Sequence, residues 1–148
     1  LFALDPATGK PPARAPRRHV LASRPVPPQA PSAIEAPFLI EREGYYYLFA
    51  SFDYCCRGES SSYYLVVGRS KNVMGPYVGR NGRSMNDGYG TLLLRGNRRF
   101  RAVGHNAVLR DQDQDYLVYH AYDGEHEGRP TLRISPIEWA DGWPVATL

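Results

Sequence analysis

Alternation of apolar and polar residues predicts short β-strands along most of the chain. The candidate segments are 17–23, 37–42, 45–52, 62–70, 90–96, 106–111, 115–123 and 130–139. They are rich in β-branched and aromatic residues, and turn-forming residues separate them. No stretch shows the i, i+3, i+4, i+7 apolar spacing of a helix. Two short polar segments, Glu43-Gly44 and 111–114, are each expected to close a hairpin. The pattern therefore predicts an all-β architecture.

The strand spacing is compatible with a sandwich, a barrel or a propeller. A propeller blade has four strands and roughly 40–45 residues, so residues 34–80 and 88–140 would each hold about one blade. Residues 7–27 are rich in proline, which prevents pairing in a central strand. This segment is either a linker or a rigid connection laid across a surface. The strand-like stretch 17–23 between its two proline clusters favours the second reading.

Composition narrows the possible partners. Of the 148 residues, 43% are hydrophobic and 22% charged, as in a globular protein. The net charge of +3 is spread over scattered arginines, so nucleic-acid binding is not expected. No apolar run approaches the ~18 residues of a membrane span, so no membrane association is expected. The chain shows no signal-peptide pattern and does not begin with Met, so we expect a removed leader or the later part of a longer polypeptide.

One carboxylate stands at the start of a strand. Glu35 is followed by Ala36, a proline and an apolar run. The proline fixes its own φ and should bias Ala36 towards extended backbone. A carboxylate on such a stiff scaffold suits a positioned general acid, and a solvated strand-edge glutamate fits the same pattern. The residues alone leave both readings open.

Other chemically capable residues are equally open. His105 and His120 are each a metal ligand, a substrate contact or a packing residue. The adjacent Cys55 and Cys56 form a vicinal disulfide or remain as small buried thiols, without metal-ligand spacing. Arg69 offers its donors to sugar hydroxyls or pairs a structural acid. G-x-S-x-G, Walker and H-E-x-x-H motifs are missing, which argues against serine hydrolases, nucleotide enzymes and zincins.

Ordered sequence blocks carry a family resemblance. They are "IEAPFLIEREGYYYLFASFDYCCRG", "YYLVVGRSKNVMGPY", "GYGTLLL", "VGHNAVLRD", "YLVYHAYD" and "LRISPIEWADGWP". Together they resemble glycoside hydrolase family 43, most closely its arabinanases, over nearly the whole chain. The resemblance implies a five-bladed β-propeller and an inverting glycosidase that acts on α-1,5-linked arabinan or arabino-oligosaccharides.

The resemblance also implies roles for five residues. Glu35 lies in the family's I-E-A-P motif and would be the general acid that protonates the leaving glycosidic oxygen. His105 lies in the G-H motif, which the family associates with a bound metal, commonly calcium, although "AVGH" stands here in place of "GPGH". Cys55 and Cys56 match a C-C-x-G loop near the substrate cleft, and Arg69 matches a G-R-S motif. These three are expected substrate-binding residues.

One departure from the family limits these expectations. The family's two catalytic aspartates lie far upstream of the I-E-A-P motif, and here only Asp5 precedes Glu35, in a turn-like segment. We therefore expect the C-terminal half of a propeller: residues 1–33 as the end of blade two and a connection, and 34–148 as the remaining blades, about three to five. No general base is assigned.

The missing aspartates predict a partner. It would be a complementary N-terminal half or a second copy in a homo-oligomer. The alternative is an inactive half-propeller that binds carbohydrate or assembles with another chain. A full-length parent is expected to be secreted or periplasmic.

Overall fold

The computed structural model describes residues 1–14 and 16–148, and within them the strands lie after residue 33. All pairings are antiparallel, and the connections include three short 3-10 turns. The all-β prediction is confirmed. In chain order the strands are β1 (Ile34–Arg42), β2 (Tyr45–Phe52), β3 (Tyr64–Ser70), β4 (Thr91–Arg95), β5 (Phe100–Asp111), β6 (Gln114–Asp123), β7 (Arg129–Ala140) and β8 (Trp143–Val145).

Strands β1 to β4 form the first sheet in chain order. The turn between β1 and β2 is Glu43-Gly44, with φ of 52° and 72°. Positive φ at both central residues is the two-residue hairpin geometry that follows the twist of the strands. The predicted hairpin is confirmed. The long connection between β3 and β4 folds back over the sheet and buries Tyr77 and Met85.

Strands β5 to β8 form the second sheet, again in chain order. The β5–β6 hairpin turns at Gln112, with φ of 52°, as the polar segment 111–114 predicted. Asp141-Gly142, with φ of 53° and 70°, turns β7 into β8. Each sheet is thus a four-stranded antiparallel meander, which is the form of a propeller blade.

The blade boundaries differ from those expected. Thr91–Arg95 pairs with β3, so it completes the first blade, whereas the sequence placed it in the second. The first blade therefore spans 34–95 and the second 100–145. Apolar patterning marks a strand but not its neighbour, because pairing is set by long-range packing. The described residues hold two complete blades, and the numbering of these blades within a ring stays a prediction.

The last part of the proline-rich segment contacts the first sheet. Residues 17–23 are not a strand, but Leu21 and Ala22 pack on the apolar cluster around Leu48 and Met85. The Ser23 N–H donates to the Met85 carbonyl at 2.9 Å. Pro16 and Pro25 flank this stretch and lack the N–H donors that a longer strand pairing would need. Residues 21–23 thus lie against the first sheet, and the rigid connection expected for the whole segment stays a prediction.

The main core lies between the two blades. The first strands, β1 and β5, contact each other, so the starts of the two blades are close together. The buried residues of this core include Tyr47, Phe49, Leu65, Val67, Val103, Leu117, Tyr119 and Trp143.

Among the described residues no helix has the length and apolarity to cross a membrane.

Candidate active site

Glu35 is placed by a β-bulge at the start of β1. It pairs with Ser51 of β2, and the register then shifts between Glu35 and Phe38. Within the bulge Ala36 has a φ of 51°, so the expected extended backbone at Ala36 is wrong. A bulge inserts a residue and re-aims the neighbouring side chains, which is common beside active sites. The Glu35 side chain is 42% exposed and is therefore accessible to a ligand.

His105 occupies a second bulge, on β5. The β5–β6 register shifts between Gly104 and Ala107, and His105 has a φ of 55°. Its backbone N–H donates to the Ser51 hydroxyl at 2.9 Å. Its Nδ1 lies 3.7 Å from Oε1 of Glu35. Two strained, bulged segments from different blades therefore meet at one carboxyl group, and such strain is concentrated at functional sites.

Tyr63 is the third member of this cluster. Its hydroxyl donates to Oε1 of Glu35 at 2.5 Å, and its ring is 1% exposed. Burial, followed by the hydrogen bond to Glu35, raises the pKa of Tyr63 well above its usual range. The phenol therefore stays protonated and remains a donor. Sequence analysis missed this residue, because Tyr63 and Tyr64 stand side by side at the start of β3 and the pattern does not say which is buried.

His120 packs against the ring of Tyr63. Its ring is stacked on Tyr63 at a centroid distance of 5.6 Å and on His105 at 6.2 Å. Burial, then the neighbouring His105, lowers the pKa of His120. Its imidazole is thus kept neutral at neutral pH. Among the described residues its Nε2 has no hydrogen-bond partner, nor has the buried amide of Asn106, so polar groups are left for a water or ligand.

Cys55 and Cys56 form a vicinal disulfide. Of the two alternatives left by the sequence, the structure therefore has the disulfide. Cys55 packs with Tyr63 and Tyr122, and the backbone N–H of the exposed Cys56 donates to the Tyr122 hydroxyl at 2.8 Å. The Tyr122 ring in turn lies edge-on to His120 at 5.2 Å. The cysteine loop is therefore attached to the same cluster.

Arg69 is not brought to this cluster. It pairs with Tyr47 in β2, four residues from Ser51, which is about 13 Å along a strand. Its Nη1 donates to the Gly142 carbonyl at 2.8 Å, and its guanidinium lies 4.5 Å from the centre of the Trp143 ring. These contacts join the two blades. A substrate role for Arg69 stays a prediction.

Glu35 is the one carboxyl group of this cluster. Asp53, which follows β2, has its carboxylate bound by Arg24. Within residues 1–14 and 16–148 no group of three His, Cys, Asp or Glu side chains is arranged to hold a metal ion. A cavity of about 290 Å³ opens beside Glu35, with mostly apolar walls that include Leu21 and Leu48. The arrangement is a single accessible carboxyl group, bound by a phenol donor and flanked by an imidazole, at the edge of a cleft.

The sequence of the chain is similar to that of known proteins. Residues 4–144 match the pattern that defines Glycosyl hydrolases family 43. The chain is 50% identical over 118 residues to an extracellular exo-α-(1→5)-L-arabinofuranosidase of Cellvibrio japonicus, covering 78% of this chain and 34% of that protein. It is 43% identical over 117 residues to an extracellular endo-α-(1→5)-L-arabinanase of Bacillus subtilis, covering 79% and 35%.

A solved structure agrees with the fold. The α-L-arabinanase of Cellvibrio cellulosa in complex with arabinohexaose superposes with a TM-score of 0.90 at 40% identity, over 99% of this chain and 48% of that one. The chain thus spans about a third of the length of the two curated relatives and about half of the solved chain.

Proposed function

Because the chain belongs to family 43 of the glycosyl hydrolases, we propose that it takes part in hydrolysing α-1,5-linked arabinan or arabino-oligosaccharides with inversion. Glu35 is the general acid that protonates the leaving glycosidic oxygen. The observation that carries this role is the accessible Glu35 carboxyl group, which the Tyr63 hydroxyl binds at the edge of the cleft. The names of the relatives, two of them extracellular, support arabinan as substrate and secretion of the protein.

Inversion needs a second carboxylate. It must lie about 6.5–9.5 Å from the acid so that a water fits between the two. Asp5, the one acidic residue before Glu35, uses its carboxylate to bind the Ala7 N–H at 2.8 Å in the N-terminal turn. The general base is therefore supplied from outside these 148 residues. A complementary N-terminal half supplies it, or a second copy of the chain in an unusual ring.

The second blade offers a surface for such a partner. The face opposite the main core carries exposed apolar side chains, with Leu132 72% and Ile134 57% exposed. Residues paired directly across strands share a face, so the register extends this patch over three strands. We call it the open face, and it consists of Leu109, Tyr116, Val118, Leu132, Ile134 and Pro136. An uncovered apolar face of this kind is typical of an interaction surface.

The remaining assignments rest on the same cluster. The exposed Cys56 and the half-buried Cys55 are assigned to the substrate cleft, as an apolar contact for the C–H face of a sugar ring. Calcium near His105 is the least supported of them. Calcium takes about 6–8 oxygen ligands, and the described residues do not form such a set. His105 would contribute one ligand at most, and the residues present do not by themselves fit the ion.

The test is a hybrid protein. The N-terminal segment of the Cellvibrio japonicus relative, which is 50% identical to this chain where they align, is fused ahead of residues 1–148. We expect the hybrid to hydrolyse linear arabinan with inversion, and Glu35→Gln to lower kcat by about 10²–10⁴-fold. Glu138→Gln, an exposed glutamate on β7, is the matched control and should leave kcat unchanged.

Two outcomes would contradict the proposal. A folded hybrid without activity would contradict the proposed hydrolysis. An active Glu35→Gln hybrid would show that Glu35 is not the acid. Binding of arabino-oligosaccharides without turnover would instead support a carbohydrate-binding module. That alternative is favoured by one observation, the missing second carboxylate.

A further inference from the structure

We propose that Tyr63 is a positioning residue for Glu35: its hydroxyl occupies Oε1 and thereby assigns the transferable proton to Oε2. This inference rests on the proposed function, since it takes Glu35 to be the acid. Tyr63 is the first residue of the block "YYLVVGRSKNVMGPY", but neither that resemblance nor the relatives' names give it a role. Three features of the cluster support it, namely the fixed ring, the fixed direction of donation and the crowding of one oxygen.

The Tyr63 ring has no alternative position. It is buried against Ala102 and Tyr122, and its backbone carbonyl accepts a hydrogen bond from Val103 at 3.2 Å. The ring also fills the space above Gly104, where a Cβ atom would lie only 1.8 Å from Cε1 of the ring. His120 covers the ring by stacking. Close packing of these neighbours restricts the position of the hydroxyl.

The direction of the hydrogen bond is also fixed. Burial and the adjacent carboxylate raise the pKa of Tyr63, so its oxygen keeps its proton throughout the range in which carboxyl groups ionise. A protonated phenol beside a carboxyl oxygen donates to it. Oε1 is therefore an acceptor when Glu35 is a carboxylate, and we infer the same direction of donation when Glu35 is protonated on Oε2.

Both polar neighbours approach the same oxygen. Tyr63 contacts Oε1, and Nδ1 of His105 lies 3.7 Å from Oε1. A proton placed on Oε1 would compete with the Tyr63 proton for the same space. The acid proton of Glu35 therefore sits on Oε2.

Proton transfer strengthens the Tyr63 contact. The Oε2–H bond breaks, a new O–H bond forms on the glycosidic oxygen, and the electrons of the broken C–O bond go to that leaving oxygen. A water that gives its proton to the general base forms the new C–O bond at the anomeric carbon. Glu35 is left as a carboxylate, and a hydrogen bond to a charged acceptor is about twice as strong as a neutral one. Tyr63 therefore stabilises the transition state more than the bound substrate, which raises kcat rather than lowering KM.

The experiment compares two leaving groups in the hybrid protein. Tyr63→Phe removes the hydroxyl and keeps the ring. With an arabino-oligosaccharide, whose sugar leaving group needs protonation, we expect kcat to fall by about 10- to 100-fold with KM little changed, as for loss of a hydrogen bond to a charged group. With 2,4-dinitrophenyl α-L-arabinofuranoside, whose leaving group needs little protonation, the loss should stay within about threefold.

The matched control is Tyr77→Phe. Tyr77 is also fully buried, burial raises its pKa to about 12, and its hydroxyl donates to the Val73 carbonyl at 3.0 Å, away from Glu35. It should leave both substrates unaffected. Equal losses on both substrates for Tyr63→Phe would show that the hydroxyl serves the fold alone.

A failure of this inference is separable from a failure of the proposed function. If Glu35→Gln loses oligosaccharide hydrolysis and Tyr63→Phe does not, the positioning role is wrong and the acid assignment stands. A measurement on residues 1–148 alone needs no turnover. The side-chain carboxyl ¹³C resonance of Glu35 should move in Tyr63→Phe and stay in place in Tyr77→Phe, and an unmoved resonance in Tyr63→Phe would overturn the contact.

Discussion

Gly104 is the residue at which the candidate site depends most directly on the absence of a side chain. A methyl group there would overlap the Tyr63 ring, with 1.8 Å to Cε1 and 2.2 Å to Cδ1. The ring cannot withdraw, because Ala102 and Tyr122 pack against it. A glycine on β5 thus sets the position of a hydroxyl that reaches a carboxyl group on β1.

We expect Gly104→Ala to destabilise the fold by about 1–3 kcal/mol or more, because it overpacks a buried site. Urea denaturation followed by circular dichroism measures this change. In a Tyr63→Ala background the same alanine should cost much less, since the overlapping ring is gone. Additive losses in the double variant would show that the strain arises elsewhere.

At the scale of single residues, the sequence predicted the motif residues but not the side chains that contact them. Glu35 and His105 were identified from short motifs, and the structure brings them within 3.7 Å. Tyr63 was not found, because its role depends on a contact between distant strands. The backbone of Ala36 was wrongly expected to be extended, because the bulge in β1 overrides the local effect of the following proline.

At the scale of the elements, Asp123 ties the end of β6 to its surroundings. Its carboxylate accepts hydrogen bonds from Arg99 and from His126, the latter at 3.0 Å, and from the Glu125 N–H at 3.0 Å. The hydrogen bond from Arg99, followed by that from His126, outweighs burial and lowers the pKa of Asp123 from its ordinary 3.8 to about 2. The carboxylate is therefore stabilised by folding.

This shift predicts a pH-dependent stability. A lowered pKa in the folded state stabilises the fold fully above about pH 4, and this contribution is lost as the pH falls towards about 2. Asp123→Asn should lower the Tm at pH 6, and its difference from the parent should shrink between pH 4 and pH 2. Thermal denaturation at these pH values tests it, with the exposed Asp111→Asn as control. A difference that does not change with pH would contradict the assignment.

Strand positions followed well from alternation, and strand partners did not. The hairpins at Glu43-Gly44 and at Gln112 were predictable, because two-residue turns demand specific residues. Thr91–Arg95 was assigned to the wrong blade, because the 20 residues between β3 and β4 pack over the sheet and return to it. Segment 17–23 read as a strand, although its flanking prolines keep it outside any sheet.

For the whole molecule, the open face predicts the mode of association. Leu132 and Ile134 are the most exposed of its side chains, and burying each would contribute about 1.5–3 kcal/mol. We expect Leu132→Lys and Ile134→Lys to weaken association of residues 1–148 with a separate N-terminal segment of the Cellvibrio relative by at least tenfold. Analytical ultracentrifugation measures it. Leu132→Ile keeps the apolar surface and is the control, and unchanged association in the lysine variants would place the contact elsewhere.

The fold class and its partial extent were predictable, since the ordered motifs and the single acidic residue before Glu35 are both visible in the sequence. A half-propeller is expected to leave a blade face open, but which residues form that face was not predictable, because a buried and an exposed strand face carry the same apolar pattern. The sequence reports that leucine and isoleucine occupy β7, and the structure reports that nothing within the described residues covers them.

Glu35 and Tyr63 belong to the first blade and His105 to the second, and the Ser51–His105 hydrogen bond of 2.9 Å spans the seam. The two sides of the site are therefore carried by different blades. A small rotation of one blade against the other would change the distance between the Glu35 carboxyl group and the His105 imidazole, while the strand pairing within each blade stays intact. The distance between these two groups therefore reports the relative orientation of the two blades. We therefore expect substitutions in the interblade core around Tyr47 and Trp143, remote from the cleft, to change the distance between Glu35 and His105.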